Sequence, residues 1–259
     1  MSRFAYLASD TRVLARRNLI RIVRAPDLLT AFTVQPIMFV LLFVYVFGGA
    51  IQVPENFDGY ADFLIPGIVV QNIAFGGFAT ALGLSDDLNK GLIDRFRSLP
   101  MAPSAVLAGR TVADIATNTL SLVILTVVGL IVGFAFNASV GSILLGLVLA
   151  LLFGYAFSWV FAYIGLVASS PESANAFGFM AIFPLTFLSS AFVPPETMPA
   201  ALEAFANANP FTTVVDAMRS LWQGTPAGND VWLAFVWTIA ITIVFAFIAT
   251  AKYRRAVTK

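Results

Sequence analysis

Charge vanishes from this chain over long, regularly placed runs. Residues 28–52, 63–85, 115–171, 173–195 and 231–251 contain no Asp, Glu, Lys or Arg. A helix crossing the hydrocarbon core of a bilayer needs about 20 predominantly apolar residues. The 115–171 run is too long for one crossing, and the polar, small-residue stretch Asn137–Ser142 divides it into two. The pattern therefore predicts six spans, at 28–52, 63–85, 113–136, 143–168, 173–193 and 231–251. Within lipid each segment must satisfy its own backbone amides, and the runs lack the period-two alternation of barrel strands. The spans are accordingly expected to be helices, in an all-α integral membrane fold.

Three segments fit neither span nor simple loop. In the arm 1–26, Phe4, Leu7, Ala8, Thr11, Leu14, Ala15 and Ile22 share one helical face. Arg3, Arg12, Arg16, Arg17, Arg21 and Arg24 occupy the other, the pattern of an amphipathic helix lying at the lipid headgroups. Residues 86–100 place Leu88, Leu92, Phe96 and Leu99 on a stripe, with Lys90, Asp94 and Arg97 largely opposite. Asp86 or Asp87 suits the N-terminus of such a helix, where acids complement the macrodipole, and Pro100 ends it. By pattern alone it is either a helix resting on headgroups or a knob for a groove on a partner. Residues 194–226 read as two short helices bounded by Pro and Gly, too apolar for an open loop, and are expected to re-enter the outer leaflet as a hairpin. Within it Asp216 and Arg219 are spaced for a local ion pair.

Composition agrees with a lipid-facing surface: 59% of the 259 residues are hydrophobic and 11% charged, against about 25% charged in a soluble protein. With six spans, 14 of the 15 basic residues fall on one side, in the arm, the 86–110 segment and the C-terminus. The opposite loops hold Arg219 alone among basic residues, so both termini are expected in the cytoplasm. The first 24 residues carry six Arg and no apolar core of signal-peptide length. No second domain is marked off.

The chemistry carried by the chain is sparse. There is no Cys and no His, and a net charge of +1 is not pooled into a nucleic-acid surface. The phosphate-cradling Gly-x-x-x-x-Gly-Lys-[Ser/Thr] loop is absent. No charged residue stands at the centre of a predicted span, where ion-coupled carriers usually hold one. Gln35, Gln71, Asn72, Asn118 and Asn175 are the candidate amides within the spans. Such groups either bond helix to helix or line a path, and the adjacent pair Gln71 and Asn72 is the best path candidate.

The order of these parts resembles the permease of a type-2 ABC exporter. Local strings carry the likeness: Gln35–Phe39 with Phe43–Gly49, Tyr60–Ile68, Asp87–Pro100, Phe187–Pro194, Met198–Pro199, Asn209–Pro210 and Arg219–Gly224. They are similar to the drug-resistance branch typified by daunorubicin exporters. The resemblance implies two permeases, identical or sister chains, paired with two cytoplasmic ATP-binding subunits. ATP and magnesium would belong to those subunits, leaving this chain a non-enzymatic transport subunit of the plasma membrane without a cofactor of its own. It implies that Asp87, Leu88, Lys90, Gly91, Leu92, Asp94, Arg95, Phe96 and Arg97 couple to the ATPase. Pro194, Pro199, Asn209, Pro210 and Arg219 would shape the outer hairpin. Drug, lipid and glycolipid exporters share such a scaffold, so the substrate stays open. A membrane scaffold without substrate and a secondary carrier are the competing readings.

Overall fold

The computed structural model describes residues 11, 13–16, 18, 20, 26–51, 53, 54, 57–90, 103–225 and 228–258. Its described residues are helical or irregular, with no strand among them. Helix α1 (Pro26–Leu41) continues into a π-helical stretch, Leu42–Phe47. Next come α2 (Tyr60–Phe75) and α3 (Phe78–Asn89), joined through Gly76 and Gly77 so closely that 60–89 forms one apolar rod with a break. Helices α4 (Pro103–Ile131) and α5 (Val140–Val167) are long. They are followed by α6 (Pro171–Phe187) and, after a short 3-10 turn Pro195–Thr197, by α7 (Ala200–Ala208) and α8 (Pro210–Gln223). Helix α9 (Asp230–Thr258) closes the chain.

Among the described residues, four stretches are long and apolar enough to cross a membrane: Tyr60–Asn89, Val106–Ile131, Val140–Val167 and Asp230–Arg255. The other two predicted spans fall on shorter helices. Val34–Phe47 is the apolar part of the first. The 17 residues of α6 reach about 26 Å at 1.5 Å per residue, a little less than the hydrocarbon thickness. Local sequence explains most boundaries. Ser139 accepts from the Ser142 amide at the start of α5, Ser170 and Ser173 form a capping box on α6, and Asn209 caps α8 with Pro210 in its first turn.

In the most apolar 18-residue stretch of the central rod α2–α3, 78% is buried, against 11% for that of α9. Around α2 pack α5, α8 and α4, with Leu64, Ile68, Ile73, Phe153, Phe211 and Trp222 fully enclosed. A column of rings runs beside it: Phe47, Phe43, Phe192, Phe187 and Phe183, with successive centroids 5.3, 4.8, 5.1 and 4.3 Å apart. A second cluster at the other end gathers Leu14, Leu84, Leu107, Trp159, Leu166 and Tyr253.

Two expectations change on contact with the structure. The apolar face of the arm was expected in acyl chains, yet Leu14 and Ala15 are buried against the protein's own second cluster, while Arg16 is exposed. Gly109 makes this possible, since a Cβ there would press into the Leu14 side chain. Asp86 and Asp87 were expected to open a new helix, but both sit in the last turns of α3, which runs on to Asn89. What holds two acids at the unfavourable end of a helix is pairing: Lys90 reaches Asp86 at 2.9 Å, and Arg110 reaches Asp87. Arg12, Arg17, Arg21 and Arg24, and Gly91, Leu92, Asp94, Arg95, Phe96 and Arg97, lie outside the described residues.

Candidate functional site

Two polar centres stand at opposite ends of the bundle. The first lies where α3 leads toward the 91–102 segment. Arg110 of α4 is 6% exposed and donates to the Gly83 carbonyl at 2.8 Å and to the Asp87 carboxylate. Asp87 is itself 3% exposed. A charge removed from water needs a partner of this kind, because an unpaired one costs several kcal/mol. One turn further along α4, Asp114 accepts a hydrogen bond from the Thr80 hydroxyl at 2.7 Å. Another turn on, Asn118 is buried against Gly76, at the break between α2 and α3. Its amide nitrogen has no hydrogen-bond partner among the described residues. Arg110, Asp114 and Asn118 thus form one stripe down α4 that faces Asp87, Gly83 and Thr80 of α3 and Gly76 at the break before it. Tyr253 of α9 is fully enclosed in the hydrophobic cluster beside this brace.

Next to the stripe is a cavity of about 320 Å³. Its walls come from α3, α4, the arm through Asn18 and the start of α6 through Pro171.

The second centre is built on Arg219 of α8, which is 4% exposed. Its guanidinium donates to the Phe63 carbonyl at 2.9 Å, the Ser190 carbonyl at 2.7 Å and the Asp216 carboxylate at 2.8 Å. It also lies 3.6 Å over the Phe63 ring. Burial draws its pKa down to about 10, opposed by Asp216, so it stays a cation at neutral pH. The ion pair with Asp216 forms as the spacing suggested, but most of Arg219's contacts tie the hairpin to α2 and the 188–193 turn. Asn209 does similar work, donating to the Leu185 and Leu188 carbonyls at 2.6 and 2.8 Å. Pro194 and Pro199 flank the 3-10 turn ahead of α7.

The structure separates the remaining candidates. Gln71 is buried and Asn72 half-buried within α2, whereas Gln35 on α1 and Asn175 on α6 are exposed on the single chain. Of the coupling candidates, Asp87 is buried, Leu88 packs on the second cluster, and Lys90 is exposed. Arg110, Asp114 and Thr80 were missed by sequence reasoning. The signal was there, in three polar residues spaced by four along α4, but Arg110 reads as a loop charge when the span is started at 113. Among the described residues no group of His, Cys, Asp and Glu could hold a metal ion.

Comparison with known proteins settles the family. Residues 9–222 match the ABC-2 type transporter family. The chain belongs to that family. It is 33% identical over 229 residues to the daunorubicin resistance ABC transporter permease protein DrrB1 of Streptomyces coeruleorubidus, covering 88% of this chain and 80% of the relative. The probable doxorubicin resistance ABC transporter permease protein DrrC of Mycobacterium tuberculosis is 23% identical over 225 residues, 87% of this chain and 81% of its own length. A putative transport permease, ycf38, of Cyanophora paradoxa is 23% identical over 220 residues, 84% and 76% of the two chains. This ABC-2 chain is therefore a transmembrane subunit of an ABC transporter, and ATPase activity in the family resides in a separate partner. No nucleotide-binding domain lies within it.

Proposed function

We propose that this chain is the permease of an exporter that moves an apolar or amphipathic substrate outward across the plasma membrane by alternating access. Two copies, or one copy and a sister chain, would pair with two cytoplasmic subunits that bind ATP and magnesium. Six spans with cytoplasmic termini place the arm and the 86–100 segment on the ATPase side, and the hairpin outside. The relation to a daunorubicin resistance permease favours a drug-like substrate over a lipid or glycolipid.

The observation that carries this reading is the Asp87–Arg110 brace. It clamps the end of α3, from which the 91–102 segment departs, to α4. A push delivered to that segment would reach the break at Gly76 and Gly77 through a stiff lever rather than a loose loop. Leu92→Asp breaks the apolar stripe of the segment. Co-purification with the candidate ATP-binding subunit tests it: a complex with vanadate-sensitive ATP hydrolysis in the wild type, lost in Leu92→Asp with insertion intact, is the expected result. Normal assembly in the variant would refute the coupling role.

Asp114, buried in a span-length helix, is the one observation that favours a secondary carrier instead. A carrier would respond to an ion gradient and ignore ATP.

A further inference from the structure

The break in the central rod is wound unevenly. The Gly76 amide is shared between the Asn72 and Ile73 carbonyls, 3.1 Å from each, and further on the Thr80 amide returns to the Gly77 carbonyl at 3.0 Å. Bonds that reach back three residues rather than four belong to a 3-10 turn, and such a passage inside a longer helix often marks a hinge. Both glycines have ordinary right-handed backbone angles, so it is space that requires them. A Cβ on Gly76 would overlap the Asn118 side-chain oxygen, and one on Gly77 would stand 2.6 Å from the Phe161 ring. Gly165 repeats the theme along α5, where a Cβ would crowd the Ala81 carbonyl at 2.6 Å. Beside the break α3 thus rests on α5 through glycine rather than through interlocked side chains.

One unbonded donor stands in this joint. Asn118 is 2% exposed, and among the described residues its Nδ2 has no hydrogen-bond partner. A buried donor in that condition carries its full desolvation penalty. An acceptor is near: Nδ2 and the Ile73 carbonyl oxygen lie 2.6 and 3.3 Å from one point, the Cβ site of Gly154 on α5. The contacts on either side fix what can move. Arg110 ties α4 to Asp87 and Gly83, and Asp114 meets Thr80, so α3 and this part of α4 form one body. At the far end of the rod, α2 is held to the hairpin by Arg219 on the Phe63 carbonyl. Asn118 therefore rides with α4, while the Asn72 and Ile73 carbonyls stay with α2. A turn at the break carries the donor past the acceptors.

We propose that the Gly76–Gly77 break is a two-position hinge and that Asn118 is its latch. In the position described above, the Gly76 amide holds the Ile73 carbonyl and Asn118 is unbonded. When α3 and α4 turn together, the Gly76 amide withdraws to the Asn72 carbonyl, and Asn118 Nδ2 donates to the Ile73 carbonyl in its place. A carbonyl freed by bending inside a membrane needs such a substitute donor, because no water is there to supply one. The hinge rests on the exporter reading for its biological sense, as the step by which a push on the 91–102 segment becomes a turn of α3, but its test does not need that reading.

Because the chain contains no Cys, a labelled pair can be introduced without background. Asn89→Cys at the exposed end of α3 and Val167→Cys at the exposed end of α5 take nitroxides. Pulsed electron double resonance then reads their separation in the full chain in lipid nanodiscs, without ATP or partner. The 12 residues of α3 put Asn89 about 18 Å from the break. A kink of about 20° moves it by about 6 Å, and wild type is expected to show two separations differing on that scale. Asn118→Leu keeps the bulk and removes the donor; it is expected to lower the second population about fivefold while the first separation stays in place. Asn118→Ala serves the same comparison if Asn118→Leu does not fold. A single separation in wild type, or a second population undiminished in the variant, would overturn the proposal. The candidate ATP-binding subunit, added with ATP and vanadate, is read separately. If ATP leaves both populations unchanged while the second still depends on Asn118, the coupling to an ATPase falls and the hinge stands.

Discussion

Removing Arg110 should be among the most damaging single changes in this chain. The guanidinium is nearly inaccessible, and the Asp87 side chain it meets is only 4% exposed. Arg110→Met keeps much of the volume but strands a carboxylate in the cluster formed by Leu84, Leu107 and Tyr253. Breaking a buried pair from one side costs about 3–5 kcal/mol, because the abandoned charge keeps its desolvation penalty. Asp87→Asn should cost less, about 1–3 kcal/mol: the new amide oxygen still accepts from Arg110, which also retains the Gly83 carbonyl. The double variant Asp87→Leu with Arg110→Met leaves no stranded charge and should recover most of the loss. Equilibrium unfolding in mixed micelles, followed by Trp fluorescence, compares the wild type with these three variants. A double variant as unstable as Arg110→Met alone, or an Arg110→Met loss below about 1 kcal/mol, would refute the claim that the pair is dry and mutually dependent.

Two further substitutions probe the joints at either end of the rod. Gly76→Ala drives a methyl group into the Asn118 amide and should destabilise by about 1–3 kcal/mol; combining it with Asn118→Ala should restore stability in the same unfolding assay. Arg219→Met removes the donors that join α8 to the Phe63 and Ser190 carbonyls and should cost about 1–3 kcal/mol, since those buried carbonyls lose their partner while the part-exposed Asp216 keeps the Ser190 hydroxyl; limited proteolysis should then cut within 194–226 faster than elsewhere.

The helices were largely legible because lipid demands long uncharged runs and because capping residues announce themselves. Asn137 to Ser142 parts α4 from α5, and Ser170 begins α6, as a turn and a cap should. What was hidden follows from treating each charge as a mark of solvent. Arg110 and Asp114 sit within a helix that begins at Pro103, ten residues before the expected start of that span. Arg110 meets Asp87 and Asp114 meets the Thr80 hydroxyl, both on α3, and contacts across 23 and 34 residues of sequence leave no local trace. Asp87 misled for the same reason. Acids favour helix starts when nothing opposes them, and here Arg110 does. The arm's burial depended on the missing side chain of Gly109, which no periodicity reveals.

Helix α9 is inscribed on one narrow line. Ala234, Thr238, Ala249 and Tyr253 are enclosed, while Trp232, Val236, Ile239, Ile243, Val244 and Phe247 face outward. Lipid tails reward oiliness without distinguishing one oily side chain from another, so most of this helix's lettering is free to drift while its meaning is preserved. Two relatives could share every contact this helix makes and still look unrelated along it.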